Sequence, residues 1–392
     1  MTAPDATCPS LAGLRIGLLT ASVSRLGGGV FEAVANHAEM IRSASGEPVI
    51  FGLSDRYAND DQTRFAPSPV YHADVLGPPQ IGYSRQLLRQ LLDADLDLLH
   101  LHGIWMYPSR AGTRWAQLTN RPYVISPHGM LDPWITARGK VKKAIARIGY
   151  EKPSWRTASC FHALTNREAS DITREARRDD SIVIPNAGPA ALPPPATARS
   201  PRFVYLGRIH PKKNIDALIR AWTSVANTME TMGADLTIAG WGEDEHVDQL
   251  RSALTDAPAS IRFVGSVYGE DKTRLLRQSS FLVLPSHSEG LPMVILEAWA
   301  AGTPTLMTSE CNLPEGIATR AAIECGYTAE DLAPLLKQAA TMHSSIWLEM
   351  ANAAYSLAVN SFASSRVTAQ WARSYLSLTG KTGLPTISGA AK

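Results

Sequence analysis

The sequence contains few cysteines and no long apolar segment. Its four cysteines, Cys8, Cys160, Cys311 and Cys325, lack CxxC spacing, which argues against a metal knuckle or a redox pair and is typical of free or buried thiols in a reducing compartment. No run of about 18 apolar residues occurs, so no membrane-spanning helix is predicted. Residues 1–10 carry neither a basic cluster nor an apolar core, so we expect no secretory signal and a cytoplasmic location.

The chain also lacks a strong excess of charge of either sign. Its formal net charge is +2, with 19% charged and 45% hydrophobic residues, as in soluble enzymes. This balance argues against a dedicated nucleic-acid-binding protein with a large basic face. At 392 residues the chain is too long for one ordinary hydrophobic core. We therefore expect two domains and no nucleic-acid partner.

Strand and helix patterns alternate along the whole chain, which is typical of parallel sheets with crossover helices. The predicted strands are residues 15–19, 49–53, 96–101, 123–126, 160–164 and 182–184 in the first half, and 203–206, 236–239, 261–264, 281–284 and 305–307 in the second. The proline-rich segment 189–200 separates the halves and is predicted to be a linker. Ligands bind at the carboxyl ends of such strands, so the site is expected in a cleft between two α/β domains.

Two glutamates lie where the predicted strand 281–284 turns into a helix that begins at Met293. The free N–H groups of a helix start can hold a phosphate, and nearby carboxylates can accept hydrogen bonds from hydroxyl groups. Glu289 and Glu297 therefore indicate a sugar-binding site, although two solvated carboxylates would give the same pattern. Their spacing corresponds to about 12 Å along a helix, so Glu289 is expected to act from the loop and Glu297 from the helix.

Basic and imidazole side chains follow two further predicted strands. Arg208 and Lys213 come after strand 203–206, where a guanidinium and an ammonium group can neutralise a diphosphate without a metal. His128 follows strand 123–126 and precedes a glycine, which would direct its ring toward the cleft. Solvated loop cations and a turn histidine bonded to a neighbouring carbonyl group are the alternative interpretations.

The first strand is followed by the glycine loop Gly27-Gly28-Gly29 and then by a helical pattern. Successive glycines let the backbone approach an anion or a sugar closely, although a tight turn would also explain them. The dinucleotide-binding spacing GxGxxG is absent both here and at Gly240-Trp241-Gly242, so a nicotinamide cofactor is not predicted.

Three patterns that could indicate other ligands are set aside. His100 and His102 share one face of a strand and raise the possibility of a metal site with His128, but no carboxylate or cysteine at ligand spacing accompanies them, so no metal is predicted. The DxD spacing within residues 93–97 precedes a strand instead of following one. The sequence Gly380-Lys381-Thr382 lacks the upstream glycine and the strand of a phosphate-binding loop.

In their order along the chain, these motifs resemble the family 4 glycosyltransferases of the GT-B fold. The resemblance rests on the glycine loop, Ser126-Pro127-His128-Gly129, Ile184-Pro185-Asn186, Gly207-Arg208 with Lys213, Gly240-Trp241-Gly242 and the pair Glu289 and Glu297. It implies two Rossmann-like domains facing a central cleft, an acceptor-side domain at 1–188 joined by the C-terminal helix at about 372–392, and a donor domain at 201–371. It also implies retaining sugar transfer from a nucleotide diphosphate donor without a bound metal or other cofactor.

The resemblance further implies roles for individual residues. Arg208 and Lys213 would hold the donor diphosphate, Glu297 the ribose hydroxyls, and Glu289 the hydroxyls of the transferred sugar. Gly290 and Leu291 would also contact the donor, and His128 would lie near the reacting sugar. Gly28 and Gly29 would approach the donor phosphates or the acceptor from the other domain. These positions suit a reaction in which fixed cations stabilise a departing diphosphate.

The chain departs from the common pattern of this family in its loops. Ala187 and Asn214 stand where glycine is frequent, and residues 309–315 replace a more glycine-rich loop. The stretches 101–105 and 126–134 look most like bacterial members that build exopolysaccharide or lipopolysaccharide, which implies a saccharide acceptor, often lipid-linked. The alternatives are a nucleotide-sugar epimerase of the same architecture and a non-catalytic partner subunit.

A basic segment indicates contact with the inner membrane face. Its cations are interleaved with apolar residues, which is typical of a peripheral amphipathic surface, although a solvated helix face is an alternative interpretation. The cations are Arg138, Lys140, Lys142, Lys143 and Arg147.

Overall fold

The computed structural model describes residues 8–137, 139–193, 195, 197 and 199–381. The chain folds into two compact units, one formed by residues 1–186 with 365–392 and the other by residues 187–364. The sequence places the boundaries at 188 and about 372, so the second lies seven residues earlier in the structure than in the sequence interpretation. Within the described residues, no helix is long and apolar enough to cross a membrane.

The first unit contains a parallel seven-stranded sheet in the order β3-β2-β1-β4-β5-β6-β7. The strands are β1 (Arg15–Thr20), β2 (Glu47–Leu53), β3 (Val70–Ala73), β4 (Leu98–His102), β5 (Tyr123–Ser126), β6 (Cys160–Ala163) and β7 (Ser181–Val183). In the register, Leu18 lies opposite Ile50 on one side and His100 on the other. The strand order reverses between β1 and β4, where open sheets of this type form a crevice at the carboxyl ends of the strands.

Helices cover this sheet and bury its apolar side chains. They are α1 (Gly29–Ser43), α2 (Ala58–Asp61), α3 (Leu87–Asp93), α4 (Tyr107–Thr119), α5 (Pro133–Thr136), α6 (Lys140–Ala146), α7 (Lys152–Thr157), α8 (Asn166–Ala176) and the last helix α17 (Ser364–Thr379), which enters this unit at Ser365. A π-helical turn, Arg147–Glu151, joins α6 to α7. β4 and β5 are buried along their whole length, so His100, His102 and Ser126 are buried polar side chains among apolar ones.

The second unit contains a parallel six-stranded sheet in the order β10-β9-β8-β11-β12-β13. The strands are β8 (Arg202–Leu206), β9 (Asp235–Ala239), β10 (Ile261–Phe263), β11 (Phe281–Leu284), β12 (Thr305–Met307) and β13 (Ala322–Glu324). The helices are α9 (Ile215–Ser224), α10 (Ala226–Thr231), α11 (Asp244–Ala253), α12 (Gly269–Gln278), α13 (Met293–Ala300), α14 (Pro314–Ala318), α15 (Ala329–Ala340) and α16 (Ser344–Asn360). Here the strand order reverses between β8 and β11, the two strands that precede the predicted donor residues.

All eleven predicted strands are present, with ends that differ by at most two residues. The sequence interpretation missed β3 and β13. Both are edge strands of four and three residues, and both are partly exposed, so they lack the apolar run that identifies a central strand.

Candidate functional site

Lys213 and Glu289 form an ion pair in the second unit, across the switch between β8 and β11. The Ser286 hydroxyl donates to the same carboxylate oxygen, Glu289 Oε1, at 2.7 Å. Only 16% of the Lys213 side chain and 8% of the Glu289 side chain are exposed, so water screens this pair weakly. The other oxygen, Oε2, makes no hydrogen bond to a described residue and remains available to a hydroxyl donor.

Two asparagines hold the loops that carry this pair. Asn214 has φ of 59°, and its side chain donates to the carbonyl oxygens of Pro285 and Tyr327 at 3.2 and 2.7 Å. Asn312 has φ of 58° and donates to the carbonyl oxygens of Glu289 and Gly290 at 2.7 and 2.9 Å. Asparagine tolerates the left-handed conformation and adds an amide that glycine lacks. Asn214 can therefore replace the glycine frequent in the family, and Asn312 is a site residue that the sequence interpretation missed.

Arg208 is not bonded to the Lys213 and Glu289 pair. Its guanidinium donates to Glu243 at 2.9 Å and lies 5.4 Å from the centre of the Trp241 ring. With 43% of its side chain exposed and an exposed partner, this ion pair contributes little to stability, so a ligand anion can replace Glu243 at small cost.

The glycines on either side of Trp241 are explained by backbone packing. A Cβ on Gly240 would lie 1.8 Å from the Gly207 carbonyl oxygen, and one on Gly242 would lie 2.4 Å from that of Ile209. These two glycines therefore let the loops after β8 and β9 approach each other, which positions Arg208 beside Trp241.

Glu297 lies on α13 and pairs with Lys272 of α12 at 2.7 Å. Lys272 is a further residue that the sequence interpretation missed. The two residues are 25 positions apart on different helices, and no local pattern signals their contact. Gly290 and the buried Leu291 lie between Glu289 and Glu297 in the segment leading to α13.

In the first unit, the loop after β1 leads directly into α1. Asp55 accepts hydrogen bonds from the hydroxyls of Ser22 and Ser24, each at 2.8 Å, and thereby fixes the start of the loop. Gly28 has φ of +56°, a conformation that favours glycine. A Cβ on Gly28 or on Gly29 would meet no atom within 4 Å, so the backbone here borders open space.

His128 and Gly129 form a left-handed turn after β5, with φ of 54° and 75°. Glu168 of α8 holds this turn, because its carboxylate accepts from the Gly129 N–H at 2.6 Å and from the Leu164 N–H at 2.8 Å. Burial raises the pKa of Glu168 to about 6. Burial, with a smaller contribution from His162, lowers the pKa of His128 to about 3, so His128 is neutral at physiological pH.

A buried chain of hydrogen bonds runs beneath His128. The Ile184 carbonyl accepts from His162 Nε2 at 2.8 Å, so the neutral His162 ring accepts the Ser126 hydroxyl proton at Nδ1. The chain continues through His100 and the Tyr375 hydroxyl of α17 to His37. The carbonyl group thus sets the direction of every donor in the chain.

Side-chain nitrogens of His37, His100 and His102 lie within 4.8 Å of one another. This cluster therefore differs from the set His100, His102 and His128 that was considered from the sequence. Both nitrogens of His100 make hydrogen bonds, and the Tyr375 hydroxyl bonds to His37 and His100 at 2.6 and 2.8 Å. The Tyr375 hydroxyl therefore satisfies one nitrogen of each of these two rings.

Two cations of the predicted basic segment make contacts with other residues of the chain. Lys143 donates to the Ile135 carbonyl and Arg147 pairs with Glu175. Arg138 lies outside the described residues, and the side chains of Lys140 and Lys142 are not described. Two apolar side chains of this region, Ile145 and Ile148, are 68% and 74% exposed.

Comparison with known proteins identifies two matching family models. The model described as "Glycosyl transferase 4-like domain" matches residues 28–187, and the model described as "Glycosyl transferases group 1" matches residues 200–344.

Among curated proteins, the chain is 30% identical over 248 residues to the D-inositol 3-phosphate glycosyltransferase of Streptomyces avermitilis, covering 57% of this chain and 52% of that protein. It is also 30% identical over 232 residues to the phosphatidyl-myo-inositol mannosyltransferase of Mycobacterium leprae, covering 56% of each. The chain thus spans about half the length of these curated relatives.

Solved structures share the fold at lower identity. HepE of Anabaena in complex with UDP has a TM-score of 0.74 at 17% identity, covering 93% of this chain and all of that one. Sucrose-phosphate synthase of Thermosynechococcus elongatus has a TM-score of 0.69 at 16% identity, covering 94% of this chain and all of that one.

Proposed function

Because the chain belongs to the family 4 glycosyltransferases of the GT-B fold, we propose that it transfers a sugar from a nucleotide diphosphate sugar to a saccharide acceptor. The observation that carries this proposal is the charge arrangement at the switch between β8 and β11. There a weakly screened pair, Lys213 and Glu289, lies in loops that follow the two strands.

Each charged group of the second unit has a separate role in this proposal. Lys213 and Arg208 hold the diphosphate and stabilise the charge that develops as it leaves. Glu289 accepts hydrogen bonds from the hydroxyls of the transferred sugar through Oε2, because Oε1 is already bonded to Lys213 and Ser286. Glu297 accepts from the ribose hydroxyls while Lys272 holds its other oxygen.

The donor is proposed to carry a hexose on uridine or guanosine diphosphate. HepE of Anabaena has been solved in complex with UDP and glucose, which supports a uridine nucleotide as the first candidate. A thermal-shift screen of UDP, GDP and their common sugars tests this, because a ligand that binds the folded state raises the melting temperature. Glu297→Gln is expected to reduce the shift. If no nucleotide raises the melting temperature at millimolar concentration, the donor proposal is rejected.

Product analysis distinguishes sugar transfer from the alternatives. Incubation with the stabilising donor and a panel of saccharide acceptors is expected to give a glycoside with the anomeric configuration of the donor. An epimerised free donor would instead identify an epimerase, and donor binding without turnover would favour a non-catalytic partner. Activity is expected to persist with excess chelator, because Arg208 and Lys213 supply the positive charge for the leaving group. Activity restored only by manganese would contradict metal-independent transfer.

We further propose a lipid-linked acceptor in bacterial surface polysaccharide synthesis, with the protein in the cytoplasm and peripheral at the inner membrane. The exposed Ile145 and Ile148, in a segment rich in lysine, support this contact. Flotation with anionic vesicles is expected to carry the wild type upward, and the double variant Ile145→Ser and Ile148→Ser much less. If the protein never floats with these vesicles, membrane contact is rejected, and the transfer proposal is unaffected.

A further inference from the structure

His102, the last residue of β4, is hydrogen-bonded to His128. Its Nδ1 lies 2.9 Å from His128 Nε2, and the two rings are stacked with centroids 5.2 Å apart. His102 is 2% exposed, and its other nitrogen, Nε2, is buried without a hydrogen-bond partner among the described residues. His128 is partly accessible to solvent, and its Nδ1 makes no hydrogen bond to a described residue. The ring of His128 is therefore bonded from beneath, with its second nitrogen still available.

The unpartnered Nε2 of His102 indicates which nitrogen of this ring carries the proton. Burial lowers the pKa of His102 well below its ordinary value, so the ring is neutral and carries one proton. A proton on Nε2 would leave a buried N–H group without an acceptor, which native proteins rarely tolerate. With the proton on Nδ1, His102 donates to His128 Nε2. His128, also neutral, then carries its own proton on Nδ1.

The neighbouring chain of hydrogen bonds does not determine which nitrogen of His128 carries the proton. It runs from Ile184 through His162, Ser126, His100 and Tyr375 to His37, and none of its bonds reaches His128. Among the described residues, His102 alone makes a hydrogen bond to the His128 ring. His162 thus offers a matched control: a buried histidine of the same cluster that is not bonded to His128.

We propose that His102 is a positioning residue that fixes the ring of His128 and keeps the His128 proton on Nδ1, so that His128 presents a neutral N–H donor to a sugar hydroxyl of the ligand. The identification of the ligand as a sugar rests on the proposed function, whereas the position of the His128 proton does not. His128 acts in this arrangement as a hydrogen-bond donor, and it is neither a cation nor a general base at physiological pH.

Nitrogen NMR of the full chain labelled with 15N-histidine tests the proton placement directly. We expect a protonated Nδ1 and an unprotonated Nε2 for His128, unchanged between about pH 8 and pH 6. His102→Leu is expected to shift or average these signals, His102→Asn to retain them through its amide donor, and His162→Gln to leave them unchanged. A His128 ring protonated at Nε2 in the wild type would overturn the proposal.

A double-mutant cycle tests the positioning role in sugar transfer. His102→Leu is expected to lower kcat/KM by about three- to tenfold, the range of one hydrogen bond, and His102→Asn to recover most of this loss. In a His128→Leu background, His102→Leu is expected to lower kcat/KM no further. A loss that adds fully in that background would overturn the positioning role. If no donor supports transfer, the proposed function fails, and the NMR result still decides where the proton lies.

Discussion

At the scale of single residues, Lys213 is both a proposed ligand for the diphosphate and the partner of a nearly buried carboxylate, Glu289. Lys213→Ala is expected to lower turnover by about ten- to a hundredfold, because a charge-assisted contact to the leaving group is lost. It is also expected to lower stability, since an unpaired carboxylate remains in a site with little solvent. Steady-state rates measured well below the melting temperature separate the two effects.

The control for this variant is Lys337→Ala, which removes an exposed lysine of α15. It is expected to leave both turnover and melting temperature near the wild-type values. Unchanged turnover in Lys213→Ala would remove Lys213 from the mechanism.

Lys272 is expected to keep the Glu297 carboxylate correctly oriented, through the contact at 2.7 Å. Lys272→Met should therefore weaken binding of the donor nucleotide by about three- to tenfold, with a smaller effect on kcat. Calorimetric titration of the nucleotide measures this change. Arg274→Met is the matched control, because Arg274 lies on the same helix and pairs with the exposed Asp271. Equal affinities for the wild type and Lys272→Met would show that the carboxylate needs no such support.

At the scale of elements, the three glycines around the start of α1, Gly27, Gly28 and Gly29, are subject to different physical constraints. A Cβ on Gly27 would approach Phe31 and the Ser22 carbonyl oxygen at 3.1 and 3.2 Å, and Gly28 has a left-handed φ. Gly29 has neither constraint. Gly29→Ala is expected to keep or raise the melting temperature, because alanine favours a helix more than glycine does. Turnover is expected to fall about tenfold if ligand approaches the backbone here, since a methyl group would occupy that space.

Gly149→Ala provides the matched comparison for Gly29→Ala. Gly149 is also helical, and a Cβ there would likewise meet no atom within 4 Å. Kinetic assays of both variants are expected to show a loss of turnover for Gly29→Ala alone. Wild-type kinetics for Gly29→Ala would remove this glycine from the binding surface.

The strands and helices also show how much of the fold can be predicted from the sequence. The continuous apolar run of β11 predicts a central strand because that strand is buried, whereas the partly exposed edge strands β3 and β13 give no such signal. The alternation of His100 and His102 correctly predicts a shared face, with ring centroids 4.1 Å apart. Tyr375, the partner of His100, lies 275 positions from it, and Lys272 is 25 positions from Glu297, so these contacts follow only from the folded chain.

At the scale of the whole molecule, burial shifts the pKa values of five histidines and two glutamates in directions that oppose each other. The pKa values of His37, His100, His102, His128 and His162 are lowered, so these rings stay neutral in the folded state while the unfolded chain protonates them below about pH 6.5. Burial raises the pKa of Glu168 to about 6 and that of Glu151, which accepts from the Trp105 N–H at 2.5 Å, to about 7. The five histidines reduce stability as the pH falls, and the two carboxyls increase it.

The histidines outnumber the carboxyls, so we expect the free energy of unfolding to fall as the pH decreases below about 6.5. Near pH 5.5 the unfolded state binds about three more protons than the folded state through these seven groups, which corresponds to a loss of about 4 kcal/mol per pH unit. Urea unfolding at several pH values measures this slope. His162→Gln is expected to reduce this slope by about one proton, because it removes one of the five buried rings. A free energy of unfolding that stays constant or rises toward pH 5 would show that the buried histidines take up protons without unfolding.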